Sequence, residues 1–68
     1  EAVQHYQEAL HLYPEYAFAH NNYGLALMHL GNIREAEEHF REALRINPAY
    51  AEAQTHLNEA RVAAQGLK

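Results

Sequence analysis

The sequence has no cysteine and no serine, and of its 68 residues only three are glycine and two are proline. Without cysteine, neither a disulfide framework nor a cysteine-based metal site can form. The absence of cysteine leaves the redox compartment open, although it favours a reducing, cytoplasmic one. Cysteine and serine nucleophiles are excluded as well, and no glycine-rich phosphate loop is present.

Basic residues are also scarce, with five Lys and Arg against nine acidic residues and a formal net charge of −4. Binding to nucleic acid requires clustered positive charge. Here the basic residues are scattered among the carboxylates, so nucleic acid is excluded as the expected partner. No apolar run approaches the ~18 residues of a membrane span, and no signal peptide is visible.

What is present favours helices. Apolar residues make up 49% of the chain, and Ala and Leu dominate among them, which are strong helix formers. The chain starts without methionine and inside a helical pattern, so we interpret it as a piece of a longer protein. A chain of this length has a small core, because domains near this size bury only about 60% of their unfolded surface.

The main signal is an internal repeat of 34 residues. When the sequence is shifted by 34 positions, 11 of the 34 aligned pairs are identical. They are Glu1/Glu35, Ala2/Ala36, His5/His39, Glu8/Glu42, Ala9/Ala43, Leu10/Leu44, Pro14/Pro48, Tyr16/Tyr50, Ala17/Ala51, Ala19/Ala53 and Ala26/Ala60. A fixed period of this length indicates a stack of helical repeats.

Each period contains two helices. Apolar residues recur at spacings of three and four from Tyr16 to Leu30 and again over 33–46, as on one face of a helix. Gly31 is expected to stop the first of these helices, and Asn32 to open the second with a capping-box-like pattern. Asn47-Pro48 is expected to end the helix over 33–46 and to start the following helix, with Asn47 as its N-cap. A further helix is predicted over 1–13.

Two consecutive patterns in the sequence resemble the tetratricopeptide repeat. The first is Pro14-x-Tyr16-Ala17-x-Ala19-x-x-Asn22-Tyr23-Gly24-x-Ala26-Leu27-x-x-Leu30-Gly31. The second is Glu35-Ala36-x-x-x-Phe40-x-x-Ala43-Leu44-x-x-x-Pro48. The resemblance covers nearly the whole chain. It implies an all-α fold, a right-handed antiparallel helix-pair solenoid of about two repeats and four helices. In such units Gly24 and Ala36 let paired helices approach closely, and Ala43 admits the next helix.

The repeat divides the chain into three parts. Residues 1–13 are the second helix of a truncated repeat, 14–47 a complete repeat, and 48–68 the following first helix with a frayed end. Two departures stand out: His20 occupies a position that is usually large and apolar, while Asn58 and Arg61 replace the equivalents of Gly24 and Leu27. The last helix is therefore interpreted as a cap with one solvated side. Alternatively, it is an ordinary first helix whose partner is missing, and a buried Leu67 would support that.

The resemblance implies a protein-binding scaffold whose first helices line a concave groove. The candidate protein- or peptide-binding residues are Phe18, Asn21, Asn22, Leu25, Met28, His29, Glu52, Thr55, His56 and Glu59. Phe18, Leu25 and Met28 form one stripe that is typical of recognition surfaces. The same stripe could instead pack on another part of the protein or on a second copy. Asn22 is more typical of hydrogen bonding between helices than of ligand binding.

The groove predicts the chemistry of its partner. Family members that clamp the C-terminal carboxylate of chaperone peptides use Lys and Arg, whereas this chain has Phe18, Glu52 and His56 at the equivalent positions. An acidic peptide would be repelled by Glu52 and Glu59. We therefore expect an apolar or mildly basic segment, helical or extended.

Catalysis and metal binding are not expected, and no cofactor is predicted. None of the six histidines is paired with another at i+3 or i+4, the spacing that places two imidazoles on one helix face. Their titration near pH 6 would give association some pH dependence.

A competing hypothesis is self-association. A stack requires about three repeats for stability, so a chain with one complete helix pair could complete its core with a second copy. This predicts a homodimer, or another homo-oligomer, that forms through exposed repeat faces or by exchange of helices at Gly31-Asn32.

Overall fold

The computed structural model describes residues 2–66, which form four α-helices. These are α1 (Ala2–Leu12), α2 (Ala17–His29), α3 (Ile33–Ile46) and α4 (Ala51–Gln65). The prediction of an all-α fold of four helices, packed in sequential pairs and amounting to about two helix-turn-helix units, is confirmed. The predictions for Leu67 and for the last two residues of the frayed end lie outside the described residues.

The helices are arranged in two layers. α2 packs against α1, α3 and α4, and α3 packs against α2 and α4. Within residues 2–66, no Cα atom of α1 comes within 8 Å of one in α3, whereas α2 and α4 do approach each other this closely. The stack is therefore narrower on the side of α2 and α4 than on the side of α1 and α3.

The core is built around Phe40, whose side chain is 0% exposed. The buried residues that form one cluster with it come from α2, α3 and α4, and they are Tyr23, Leu27, Ala36, Leu57 and Ala60. Phe40 lies against Gly24: a Cβ atom built on this glycine would be 2.5 Å from Cε1 and 2.8 Å from Cζ of the ring. The missing side chain of Gly24 thus provides the space that the ring occupies.

Gly31 ends α2, as predicted, with a φ of 86°. The N–H groups of Gly31 and Asn32 donate to the carbonyls of Met28 (3.0 Å) and Leu27 (2.8 Å), which is the Schellman pattern. The predicted capping box at Asn32 is wrong, since its side chain makes no capping hydrogen bond. In a capping box the N–H of Asn32 would bind the Glu35 side chain, but here it is already donated to Leu27.

The start of α4 also differs from the prediction. Asn47 is not its N-cap: α4 begins at Ala51, and Tyr50 is the residue before it. The side-chain oxygen of Asn47 accepts the N–H of Ala49 (3.2 Å), and its carbonyl accepts the N–H of Tyr50 (3.0 Å). Asn47 therefore stabilises a turn around Pro48, because an Asn side chain can satisfy the backbone of a turn as well as that of a helix.

His20 and His39 form a pair that connects α2 with α3. Their rings meet edge to edge, with an interplanar angle of 27° and centroids 5.3 Å apart, and their Nδ1 atoms are 3.0 Å apart. His20 is buried, and its Nε2 lies 2.8 Å from the carbonyl oxygen of Pro14. Since a carbonyl only accepts, Nε2 of His20 carries the proton, and its Nδ1 accepts from Nδ1–H of His39. The imidazole of His20 thus fills the position where the family usually has a large apolar side chain.

We expect Gly24→Ala to destabilise the chain, although alanine is the better helix former by about 1 kcal/mol. The added methyl group would overlap the Phe40 ring, and overpacking of this kind costs about 1–3 kcal/mol. Thermal unfolding followed by circular dichroism should show a lower Tm, by about 4–8 °C per kcal/mol for a domain of this size.

Asn58→Ala is the matched control for this prediction. Asn58 is the equivalent position in α4 and is exposed, so the change adds helix propensity without a new contact. Its Tm should stay the same or rise. A Gly24→Ala variant that is as stable as the Asn58→Ala variant would contradict the role assigned to the glycine.

We expect stability to decrease at acidic pH because of His39. Burial lowers the pKa of His39, and the neighbouring His20 acts in the same direction, while Glu35, Glu38 and Glu42 partly oppose them. The unfolded chain, with a histidine pKa of about 6.5, therefore binds more protons than the folded chain. The contribution of His39 to the free energy of unfolding is fully present above the pKa of the unfolded state. It is lost as the pH falls from that pKa through the lower pKa of the folded state.

The test compares Tm at about pH 7.5 and about pH 5, on either side of the unfolded histidine pKa. His39→Gln retains a donor for His20 and should have a smaller loss of Tm than the original chain. His5→Gln, at the equivalent and exposed position of α1, should have the same loss as the original chain. Equal losses in all three proteins would disprove the assignment to His39.

Candidate functional site

The ten candidate binding residues lie on two neighbouring helices of the same layer. Phe18, Asn21, Asn22, Leu25, Met28 and His29 belong to α2, and Glu52, Thr55, His56 and Glu59 belong to α4. Because α2 and α4 are in contact, their solvent-facing sides form one continuous surface on the narrower side of the stack. We refer to it as the α2–α4 surface.

Five of the candidates are exposed: Phe18, His29, Glu52, Thr55 and Glu59. Phe18 is 53% exposed, and its ring lies 5.9 Å from that of Tyr16 at the start of α2. An aromatic ring left half in water at this position is available to a ligand. Exposed large apolar side chains of this kind are typical of interaction sites when they lie together.

Leu25 and Met28 are only partly exposed, since one side of each packs on the core cluster. The predicted stripe is thus most exposed at Phe18, while Leu25 and Met28 each present only one apolar side to the solvent. Asn22 and His56 are also half-buried. The ring of His56 lies 5.5 Å from that of Phe40, so this histidine extends the core towards the surface.

Asn21 does not belong to the open surface. Its side chain is 2% exposed and fully enclosed. Its Oδ1 lies 2.9 Å from Nδ1 of His56, which donates to it. The prediction that Asn21 faces a ligand is corrected on this point: its amide joins α2 to α4.

The sequence reasoning missed Val62, which is 69% exposed. Val62 lies 34 positions after Met28 and therefore occupies the equivalent place in the next repeat. The signal was available, because the same shift that assigned Glu52 and His56 also assigns Val62. Its inclusion adds a second exposed apolar group to the α2–α4 surface.

The charges on this surface are carboxylates. Glu52 and Glu59 are exposed on α4, and none of the ten candidates is Lys or Arg. Arg45 is engaged elsewhere: its ion pair with Glu15 (2.8 Å) joins α3 to the α1–α2 connection, and its ion pair with Glu42 lies within α3. Burial raises the pKa of the Tyr50 hydroxyl, and the nearby Glu52 adds to this effect. Glu52 and Glu59 thus give this side of α4 its negative charge.

No group of three or more His, Asp or Glu side chains within residues 2–66 could hold a metal ion. No helix described here is long and apolar enough to cross a membrane.

We expect Asn21→Ala to lower the free energy of unfolding by about 1–3 kcal/mol, because it leaves the half-buried Nδ1–H of His56 without its acceptor. Chemical unfolding measures this loss. Thr55→Ala, which truncates an exposed side chain on the same surface, is the control and should be close to neutral. If both variants unfold at the same denaturant concentration, the structural role of Asn21 is wrong.

Comparison with known families agrees with this architecture. The model of the tetratricopeptide repeat matches residues 17–50, half of the chain, which include α2, α3 and the connection to α4. A search of curated proteins found no match. Members of the family serve in general as protein-interaction modules and are typically not catalytic. With the repeat, the four helices and the family match in agreement, the chain belongs to the tetratricopeptide repeat family.

Proposed function

We propose that this chain holds a segment of another protein on the α2–α4 surface. The observation that carries the proposal is the exposed ring of Phe18 on α2, a helix that also carries the partly exposed Leu25 and Met28, together with the exposed Val62 on the neighbouring α4. A second observation supports it: within the described residues, Cα atoms of α2 and α4 come within 8 Å of each other, whereas those of α1 and α3 do not. A stack that is narrower on one side curves towards that side, which favours a concave binding surface there.

The charges define the class of partner. The exposed carboxylates of Glu52 and Glu59 lie on α4 beside the apolar groups. Complementary charge speeds association and selects against partners of the same sign. The favoured ligand is therefore a segment with two or three large apolar side chains and at least one Lys or Arg. Acidic C-terminal peptides are disfavoured by the same carboxylates.

Binding should depend on Phe18 and on Glu52. We expect Phe18→Ala to weaken the binding of an apolar, basic peptide selected from a displayed library about tenfold, because aromatic side chains are enriched among the residues that contribute most to binding. Glu52→Lys should reduce affinity for that peptide and make binding less sensitive to salt, since the attraction between opposite charges is screened. Fluorescence anisotropy with the synthetic peptide gives both values.

Two exposed residues outside the α2–α4 surface provide controls. Tyr13→Ala removes a ring that is 64% exposed in the α1–α2 connection, and Glu38→Lys reverses an exposed charge on α3. Both variants should bind as the original chain does. A library screen that returns mainly acidic C-terminal peptides, or amide chemical shift changes confined to α1 and α3, would contradict the proposal.

Self-association is the second candidate, and one observation favours it. Leu12, Tyr13, Pro14, Glu15 and Tyr16 line an open depression of about 560 Å³ at the α1–α2 connection. Leu12, Tyr13 and Tyr16 are all exposed there. Sedimentation equilibrium over a concentration series tests a homodimer through this region. A dimer that Tyr13→Lys dissociates would support it, and a monomer at all concentrations would reject it.

A further inference from the structure

The geometry points to Asn58 as a specificity residue that prevents the outer face of α4 from accepting a helix of the α1 or α3 type. This inference concerns the outer face of α4 and does not depend on the α2–α4 surface. The occupant that it excludes is defined: a second copy of this chain, joined head to tail through its α1.

Such an assembly is what the repeat would otherwise permit. α4 is the sequence equivalent of α2, and α1 is the equivalent of α3. The packing of α2 on α3 is therefore the template for packing α4 on the α1 of another copy. Contacts between non-equivalent surfaces of this kind generate open chains rather than closed dimers.

The template depends on the close approach of Gly24 to the Phe40 ring. Even a single Cβ atom at Gly24 would be 2.5 Å from the ring. The equivalents at the head-to-tail contact are Asn58 on α4 and Tyr6 on α1. Asn58 adds a Cβ atom and an amide group where the template has room for neither. The side chain that it would face, that of Tyr6, is larger than that of Phe40 by a hydroxyl group.

Arg61 acts in the same direction. Its equivalent in α2 is Leu27, which is 3% exposed in the core. In a head-to-tail contact the guanidinium of Arg61 would be enclosed in the same way, and an enclosed charge without a partner is strongly unfavourable. In the chain as it stands, both residues are exposed, and Asn58 accepts a hydrogen bond from Gln54 (3.2 Å). Their side chains are compatible with water and incompatible with a paired helix.

The test joins two full copies of the chain directly, residue 68 to residue 1. The length of 68 residues is twice the 34-residue period, so the fusion keeps the repeat in register. The slope of the unfolding free energy against urea increases with the surface that unfolds together. We expect the unmodified fusion to have the slope of a single copy, because its two halves unfold independently.

Asn58→Gly with Arg61→Leu in the first copy should join the halves, and the slope should approach twice that of one copy. Asn58→Ala with Arg61→Leu is the matched control: it removes the amide and the charge but keeps the Cβ atom, so its slope should remain that of a single copy. Circular dichroism of the same substitutions in the single chain verifies that α4 still folds, since glycine costs about 1 kcal/mol there.

Two results would overturn the inference. One is an unmodified fusion that already unfolds as one unit with a doubled slope. The other is an alanine variant that couples the two halves as strongly as the glycine variant does. Neither result bears on peptide binding at Phe18, so this inference and the proposed function can fail separately.

Discussion

The contact between Gly24 and Phe40 is the constraint on which the rest of the structure depends. Phe40 is fully buried, and its ring occupies the space that a side chain at position 24 would fill. This contact fixes how closely α2 approaches α3. Because α4 packs on α3 and α2 together, the same contact also determines where α4 lies and hence how α2 and α4 form one surface. The shape of the α2–α4 surface is therefore a consequence of one missing side chain.

Much of the fold was predictable because it follows from the repetition of small and large residues. The three-and-four spacing of apolar residues over 33–46 predicted one inward face of α3, and Ala36, Phe40 and Ala43 on that face are all buried. The end of α2 was also predictable, since Gly31 adopts a positive φ that favours glycine. Both predictions rest on local patterns that are read from one helix or one turn.

The contacts that joined different helices were not predictable in the same way. His20 and His39 are 19 positions apart and meet across α2 and α3. The spacing that pairs two histidines on one helix therefore does not predict this contact. Asn21 was assigned to the surface by its place on a helical wheel, yet it hydrogen-bonds His56 of α4. Asn32 and Asn47 have residue types that favour helix caps, but a competing backbone acceptor and a proline turn determine what they do. The hydrogen-bond partner of each of these polar side chains depends on which groups lie near it in the folded structure.

The pairing of His20 with His39 has a consequence for how this sequence can change. Each imidazole satisfies the other, and the second ring nitrogen of His20 binds the Pro14 carbonyl. Replacing one histidine by an apolar residue leaves the other with an unpaired polar group, which costs more than replacing both with apolar residues of similar shape. The path from this pair to the large apolar residue more usual at position 20 therefore passes through a less stable intermediate. The two positions are expected to vary together across related repeats, as a covarying pair between neighbouring helices.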